Sequence, residues 1–416
     1  MNRIPRLKKF IAMTIACTFL LSACTTGGSG SSGPGIGPVT SSSYSHAKTK
    51  KEPGIQKPRI DIIVPVFDPG LPADPATYEK KGIWPELRRA ESSRFAYKMK
   101  LALEKTGAFG AVRVMPDKTA TGDLYVLGTV TESNGEKVGI HVNAVDISGK
   151  RWLDKTFEHE VSKAFYSNIR NNGKDPYDPV FKKAAEQLVK ALDKHTARDL
   201  ERLQKLTDLR FGANFSEEAF SRHMQVKNGT VSLLSYPDKN DPMLKRVKAI
   251  RVRDQLFSDS MQAHYEQFSQ EMDASYVVWQ KQSFTELEAE HQATRDSIAN
   301  AVGGVALIGL AVLSAVLGGQ SDTYAGSTAG ATGAIVGGMM GAKLLNKSFR
   351  TSDEAKFHRD ALAELGQSID SEMAPQVVEF EKTTLELTGT AKEQFAQWRA
   401  FLKKIYVQEA TPDVQL

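Results

Sequence analysis

Hydrophobic and polar positions change rhythm several times along this chain, and each change marks a different architecture. Residues 59–66 (RIDIIVPV) predict a buried strand, and FDPGLPADP after them a turn-rich loop. Across residues 85–106, Leu87, Phe95, Met99 and Leu103 fall near one face of a helix, with Gly107 placed to close it. Residues 111–115 read as a short strand. Residues 124–132, 138–146 and 152–158 read as three more, separated by the turn signals SNGE and ISGK. A last helix follows Asp175-Pro176-Tyr177-Asp178-Pro179 and runs to about residue 193. The order β-α-β-β-β-β-α predicts a mixed sheet with helices packed on it, a small α/β domain over residues 58–196.

The rhythm then turns helical. Residues 197–242 form a connector: 197–209 reads as a polar rod prolonging the preceding helix, and a short helix follows with Ser216 at its N-cap. Asn228-Gly229 marks a tight turn before a strand at TVSLLSY. In a helical arm over 243–296, Met261, Tyr265, Phe268, Met272, Tyr276 and Trp279 recur at spacings of three and four. In a returning arm over 347–416, Met373, Val377, Phe380, Thr384, Leu387, Ala391, Phe395, Trp398, Leu402 and Ile405 continue that seam, with a break near Pro375. Two such arms pair most simply as an antiparallel coiled-coil stalk.

Between the arms the pattern becomes almost wholly apolar. Residues 297–342 hold one charge, Asp322, so 298–317 and 325–345 read as a helical hairpin with a polar tip. Each half approaches the roughly 20 residues that a bilayer-spanning helix needs. The first half holds ten Leu, Ile or Val residues, roughly −3 to −6 kcal/mol on an insertion scale before Asn300 and the glycines subtract. The second half holds four, opposed by Lys343. Gly333, Gly337 and Gly341 repeat every four residues, with Gly326, Gly330 and Gly338 one step round the helix. Such stripes let a second backbone approach closely. The segment resembles the glycine-zipper hairpins of bacterial envelope proteins, which implies membrane insertion and oligomerisation. The alternative reading is a Gly-rich hairpin buried inside a soluble assembly.

The amino terminus carries a second signal. Arg3, Arg6, Lys8 and Lys9 precede a short apolar core, and Leu21-Ser22-Ala23-Cys24 follows. This matches the bacterial lipobox, and membership of that lipoprotein family implies a signal peptide over 1–23 and a lipidated Cys24. By the same resemblance, Thr25 directs sorting to the outer membrane, with the chain facing the periplasm. Residues 24–57 are rich in Gly, Ser and Pro and form a flexible tether.

Charge changes the picture only after this correction. The chain has 54 Lys and Arg against 49 Asp and Glu, a net of +5, but residues 1–23 hold four basic and no acidic residues. The remainder has 50 against 49, a net of +1, so composition offers no argument for nucleic-acid binding. Of two cysteines, Cys17 lies in the segment to be removed and Cys24 takes lipid, which leaves no disulfide framework or cysteine metal site. Eight histidines include no pair at metal-ligand spacing, and HExxH, GxSxG and Walker patterns are missing. The expectation is a non-enzyme without a cofactor beyond its covalent lipid.

The strand ending in Pro65, the helix closing on KTGAFGAVRVM, and then GDLYVLGTVTE and NAVDISGKRWLDKTFE resemble the α/β domain of curli-export lipoproteins. The amino-terminal domain of TolB-type periplasmic proteins is similar. The resemblance covers about a quarter of the chain, which lacks the transmembrane β-hairpins of the curli exporters and adds a helical half. The overall expectation is an α+β protein, with a small mixed-sheet periplasmic domain followed by a long helical hairpin stalk ending in an apolar Gly-rich tip. Its expected function is as a structural or assembly lipoprotein of an oligomeric cell-envelope or export complex, with membrane lipid, copies of itself and other envelope proteins as partners. Two other readings stand beside it: a transport-associated or lipid-trafficking accessory protein, and an enzyme of the cell wall.

Overall fold

The computed structural model describes residues 57–78, 81–317, 353–368, 376–380 and 383–410, with the backbone alone over 296–317, 353–356, 379–380 and 408–410 and at 368 and 383. Cys24, the expected signal peptide, almost all of the expected tether and the glycines of the expected zipper therefore lie outside the described residues. Among those described, the chain is α+β, and its organising element is a five-stranded mixed sheet. The strands are β1 (Ile62–Pro65), β2 (Val112–Met115), β3 (Leu124–Ser133), β4 (Lys137–Asp146) and β5 (Arg151–Glu160), arranged in the order β2-β1-β3-β4-β5. β1 pairs parallel with β2 and with β3, while β3, β4 and β5 form an antiparallel meander. β1, an interior strand with the sequence IIVP, is buried at all four residues, as a parallel strand covered on both faces must be. Buried and partly exposed residues alternate along β3 from Leu124 to Val130, placing Leu124, Val126 and Val130 in the core.

The meander's two turns are built by their own side chains. Asn134 Oδ1 accepts from the N–H groups of Glu136 (3.0 Å) and Lys137 (2.7 Å), and Asp146 Oδ1 accepts from Ser148 (2.9 Å) and Lys150 (3.0 Å). Gly135 and Gly149 supply the positive φ, +89° at each, that these turns require.

Helix α1 (Pro85–Thr106) carries the chain from β1 to β2. Pro85 opens it, and Gly107 closes it in the left-handed conformation at φ +63°. It is buried beyond the expected apolar face, with Arg88, Glu91, Ser92, Ser93 and Arg94 also inside. After a short helix, α2 (Lys163–Ser167), α3 (Asp178–Leu192) packs Val180, Phe181, Ala184, Leu188 and Leu192 into the same core.

Helix α4 (Ala197–Ala213) is a new helix with its own start. Thr196 and Asp199 form a reciprocal capping box. Nor is it a polar rod: Leu200, Leu203, Leu206, Leu209 and Phe211 are all buried, each contributing about 1.5–3 kcal/mol of apolar burial. Next come α5 (Glu217–Ser221) and a hairpin of β6 (Met224–Lys227) and β7 (Thr230–Leu233). The hairpin turns at Asn228 (φ +51°) and Gly229 (φ +73°), both left-handed as a two-residue turn of this type demands.

The two arms depart from expectation. The first divides into α6 (Pro242–Ser260) and α7 (Gln262–Leu317). Tyr265, Phe268, Met272, Tyr276 and Trp279 are buried, but in the core of the α/β domain, where α7 meets α1 and α8 (Asp353–Ser368). The seam is thus spent on the domain, and a free-standing stalk of two paired arms is not observed. Part of the returning arm is not helical at all. Residues expected to continue its seam form a hairpin of β8 (Gln376–Phe380) and β9 (Thr383–Leu387). Val377, Val378, Phe380, Thr383 and Thr384 are β-branched or aromatic, and that local preference outweighs a three-four spacing interrupted at Pro375. The last helix, α9 (Ala391–Ala410), lies against α6, with Trp398 stacked on Phe257 at 4.8 Å between ring centroids. Among the described residues, no helix is long and apolar enough to cross a membrane.

Gly366 marks how tightly α8 docks, because a Cβ there would lie 2.0 Å from the backbone oxygen of Glu86 at the start of α1. Gly366→Ala should cost about 1–3 kcal/mol and speed amide exchange throughout residues 353–368 by at least tenfold. Unchanged protection of that helix would mean that α8 does not depend on this contact.

Candidate functional site

In open α/β sheets the crevice beyond the carboxyl ends of parallel strands is where ligands collect. Here the helix that follows β1 brings Arg88, Glu91, Arg94 and Lys98 to that region at helical spacings of three and four. Glu91 is fully buried. It accepts hydrogen bonds from the hydroxyls of Ser133 and Tyr276 (2.7 Å for the latter), and Arg88 Nε lies 3.7 Å from its other oxygen. Burial pushes its carboxyl above the usual range, and the pull of Arg88, Ser133, Tyr276 and Arg94 does not reverse this.

Arg94, 1% exposed, donates from one end of its guanidinium to Asp175 (2.8 Å). From the other end it donates to the Ser269 carbonyl (3.0 Å) and to Asp273. Its charged carbon lies 4.8 Å from the centre of the Tyr276 ring. Asp175, in the loop before α3, is held further by Lys98 (3.3 Å), the Tyr177 N–H (2.9 Å) and Gln280 (3.2 Å). Burial alone would raise its pKa, but these partners, Arg94 foremost, bring it down to about 2.

The contacts from α7 come from Ser269, Asp273, Tyr276 and Gln280, again at spacings of four, three and four. One face of α7 is therefore seated where a ligand would enter. Gly135 completes the seat: its N–H donates to the Tyr177 hydroxyl at 2.7 Å, and a Cβ there would lie 2.9 Å from the Gln280 oxygen. Among the described residues, Glu91, Arg94 and Asp175 each find their partners in protein groups. What the cluster does chemically is clamp α7 to α1 and to the β3–β4 turn.

At the opposite, amino ends of β1 and β3 a second ionic cluster borders an open cleft of about 350 Å³. Asp123, pushed up by burial, accepts from the Thr207 hydroxyl (2.6 Å) and the Asp61 N–H (2.8 Å). Asp208 holds Arg251 at 2.5 Å and accepts from Tyr236 at 2.8 Å. Arg113 grips Asp259 with two bonds of 2.6 and 3.1 Å. These charges satisfy one another and tie α4 and α6 to the sheet.

The histidines are dispersed. His141 pairs with Asp154 (3.0 Å), His195 stacks on Trp152 (4.0 Å between centroids), and His291 lies 3.6 Å from Glu136. Among the described residues, no group of three or more His, Cys, Asp or Glu side chains is placed to hold a metal ion.

The sites expected from sequence, Cys24 for lipid and Gly326, Gly330, Gly333, Gly337, Gly338 and Gly341 for packing, lie outside the described residues. The clamp residues were not singled out in advance. The polar stretch AESSR inside a helix and the Asp175-Pro176 punctuation lie near them, but neither distinguishes a buried charge from a surface one. In comparisons with known proteins, no family model, no curated protein and no solved structure matches this chain.

The clamp has a pH signature. The Asp175 carboxyl is depressed to about 2 in the fold, against an ordinary value of 3.8. Its stabilising contribution is therefore complete above about pH 4 and disappears as pH falls towards about 2. Asp175→Asn should destabilise by about 3 kcal/mol near neutral pH, since it leaves Arg94 buried with one fewer anion. Urea denaturation at a series of pH values tests this: the gap between parent and variant should close through that acid window. A gap that stays constant down to the bottom of the window would show that the ion pair is not its source.

Proposed function

We propose that this chain is an outer-membrane-anchored lipoprotein that acts as a structural or assembly component of an oligomeric cell-envelope or export complex. One observation supports this reading above the rest. α7 is a single helix from Gln262 to Leu317, so the element clamped by Arg94 and Glu91 is also the one that leads into the apolar segment. The 18 residues from Gln280 to Ile298 span about 27 Å at 1.5 Å each. A folded domain held rigidly to the first half of a Gly-rich hairpin suits a part of an assembly. The Arg94–Asp175 cluster is spent on holding α7 to the sheet, which suits a structural part.

In this reading the signal peptide ends at Ala23, and Cys24 carries lipid that anchors the tether to the outer membrane from its periplasmic side. The hairpin over 297–346 inserts into the same membrane, and Gly326, Gly330, Gly333, Gly337, Gly338 and Gly341 pack against neighbouring copies. Nucleic acid has no role. Arg295 on one flank and Lys343, Lys347 and Arg350 on the other would sit at headgroup depth.

Two experiments separate the anchor from the hairpin. Cys24→Ala should abolish incorporation of a fatty-acid analogue during metabolic labelling in the bacterial host. Label retained on the variant would end the lipoprotein reading. Gly337→Leu should reduce the oligomer on native gels in mild detergent by more than half, whereas Gly304→Leu, outside the strict series, should change it little. Assembly of both variants like the parent would rule out the glycine stripe as an interface.

A further inference from the structure

Three asparagines in this chain precede a glycine: Asn134, Asn172 and Asn228. Such a pair is the one most open to a reaction within the backbone, because the glycine has no side chain to shield its own nitrogen. That nitrogen attacks the asparagine amide carbon when both groups are free and the peptide between them can turn. The fold treats the three pairs differently.

At Asn134 both reacting groups are occupied. Its Oδ1 accepts from Glu136 and Lys137, its Nδ2 donates to Glu132 at 3.1 Å, and the Gly135 N–H is spent on the buried Tyr177 hydroxyl. Asn228 is exposed, but it and Gly229 are both left-handed, and the ladder pair Lys227–Thr230 closes the hairpin around them. Asn172 stands apart. It lies in the exposed loop between α2 and α3, where the Lys174 N–H donates to the Asn171 carbonyl at 3.0 Å. With Asn172 at φ −55° and ψ 131°, and Gly173 at φ +74°, residues 171–174 form a type II turn. The peptide joining Asn172 to Gly173 is the central one of that turn, so it rotates without breaking the 3.0 Å bond. The amides of Asn168 and Asn171, in the same loop, are engaged with the Arg170 N–H and the Phe165 carbonyl. Among the described residues, neither the Asn172 side chain nor the Gly173 N–H has a hydrogen-bond partner. The space beside the Gly173 Cα is open as well.

We propose that Asn172-Gly173 is a self-modifying site. The Gly173 nitrogen bonds to Asn172 Cγ, and its proton passes through base to the leaving group. The Cγ–Nδ2 bond breaks, ammonia departs, and a cyclic imide closes. Water then adds to either imide carbonyl and reopens the ring. One opening gives aspartate. The other gives isoaspartate, in which the chain runs through the former side chain and is longer by a carbon. Both products put a new carboxylate three residues ahead of Asp175, and the second lengthens the loop that delivers Asp175 to Arg94. The reaction needs only water and base, so it does not rest on the lipoprotein reading.

The test compares the folded chain with the same chain unfolded. The full protein, in mild detergent or in guanidinium chloride, is held in mildly alkaline buffer and sampled at intervals. Each sample is digested with an acid-active protease and read by mass spectrometry. In the folded chain, the peptide with residue 172 should convert from amide to acid at least about tenfold faster than the peptide with residue 134, which must first break several hydrogen bonds. In guanidinium chloride the two rates should converge. Isoaspartyl methyltransferase should label the folded product at 172, because direct hydrolysis of the side chain gives aspartate alone. Asn172→Gln, an exposed change, should remove that label. The converted fraction, separated by its added negative charge, should exchange the amides of residues 269–280 at least about fivefold faster than the parent. Conversion at 172 no faster than at 134 in the folded chain would overturn the proposal, as would the same ratio in both solvents or aspartate as the sole product. Unchanged exchange over 269–280 would overturn the link from this turn to the clamp.

Discussion

The buried guanidinium of Arg94 is the constraint on which the rest of the arrangement depends. A charge that is 1% exposed is tolerable only when anions surround it, and Arg94 draws those anions from two separate parts of the chain. Asp175 comes from the loop before α3, and Asp273 comes from α7. Neither element can leave without stranding the cation. Hydrophobic burial of Tyr265, Phe268 and Met272 supplies attraction for α7, but apolar contact alone would tolerate sliding by a turn. The Arg94 fork, the Tyr276–Glu91 bond and the Gln280–Asp175 bond fix one register.

That register explains why, among the described residues, the aromatic stripe of α7 serves the α/β domain and not the seam of a free-standing stalk. A helix whose aromatic stripe is shared between α1 and α8, the first helix of the returning arm, has no apolar seam left over that length for α9. α8 is accommodated beside it through a glycine that allows backbone contact with Glu86. α9 finds its own site farther away on α6, where Phe257, Phe395 and Trp398 stack. The helices thus add layers around the α/β sheet.

The sheet was legible in the sequence because its signals were local. Gly107, the SNGE and ISGK turns and the alternation along β3 each demand one backbone geometry and gain little from distant partners. Asn228-Gly229 was legible for the same reason. The arms were misread because spacing of three and four records that a helical face is covered without recording what covers it. At 376–387 a helical spacing coincided with β-branched residues, and the local preference prevailed. The clamp was illegible for a different reason. Glu91, Arg94 and Asp175 look like ordinary surface charges until the fold brings three elements around them.

A continuous helix fixes angle as well as distance. Each residue of α7 advances about 1.5 Å and turns about 100°. Every position along it therefore has a set azimuth relative to the side chains that Arg94 and Glu91 hold. The course of the α7 backbone up to Leu317 is thereby set at the sheet, some twenty to forty residues earlier. In mechanical terms the domain sets the phase of the helix backbone that it hands on, through to the last described turn of α7.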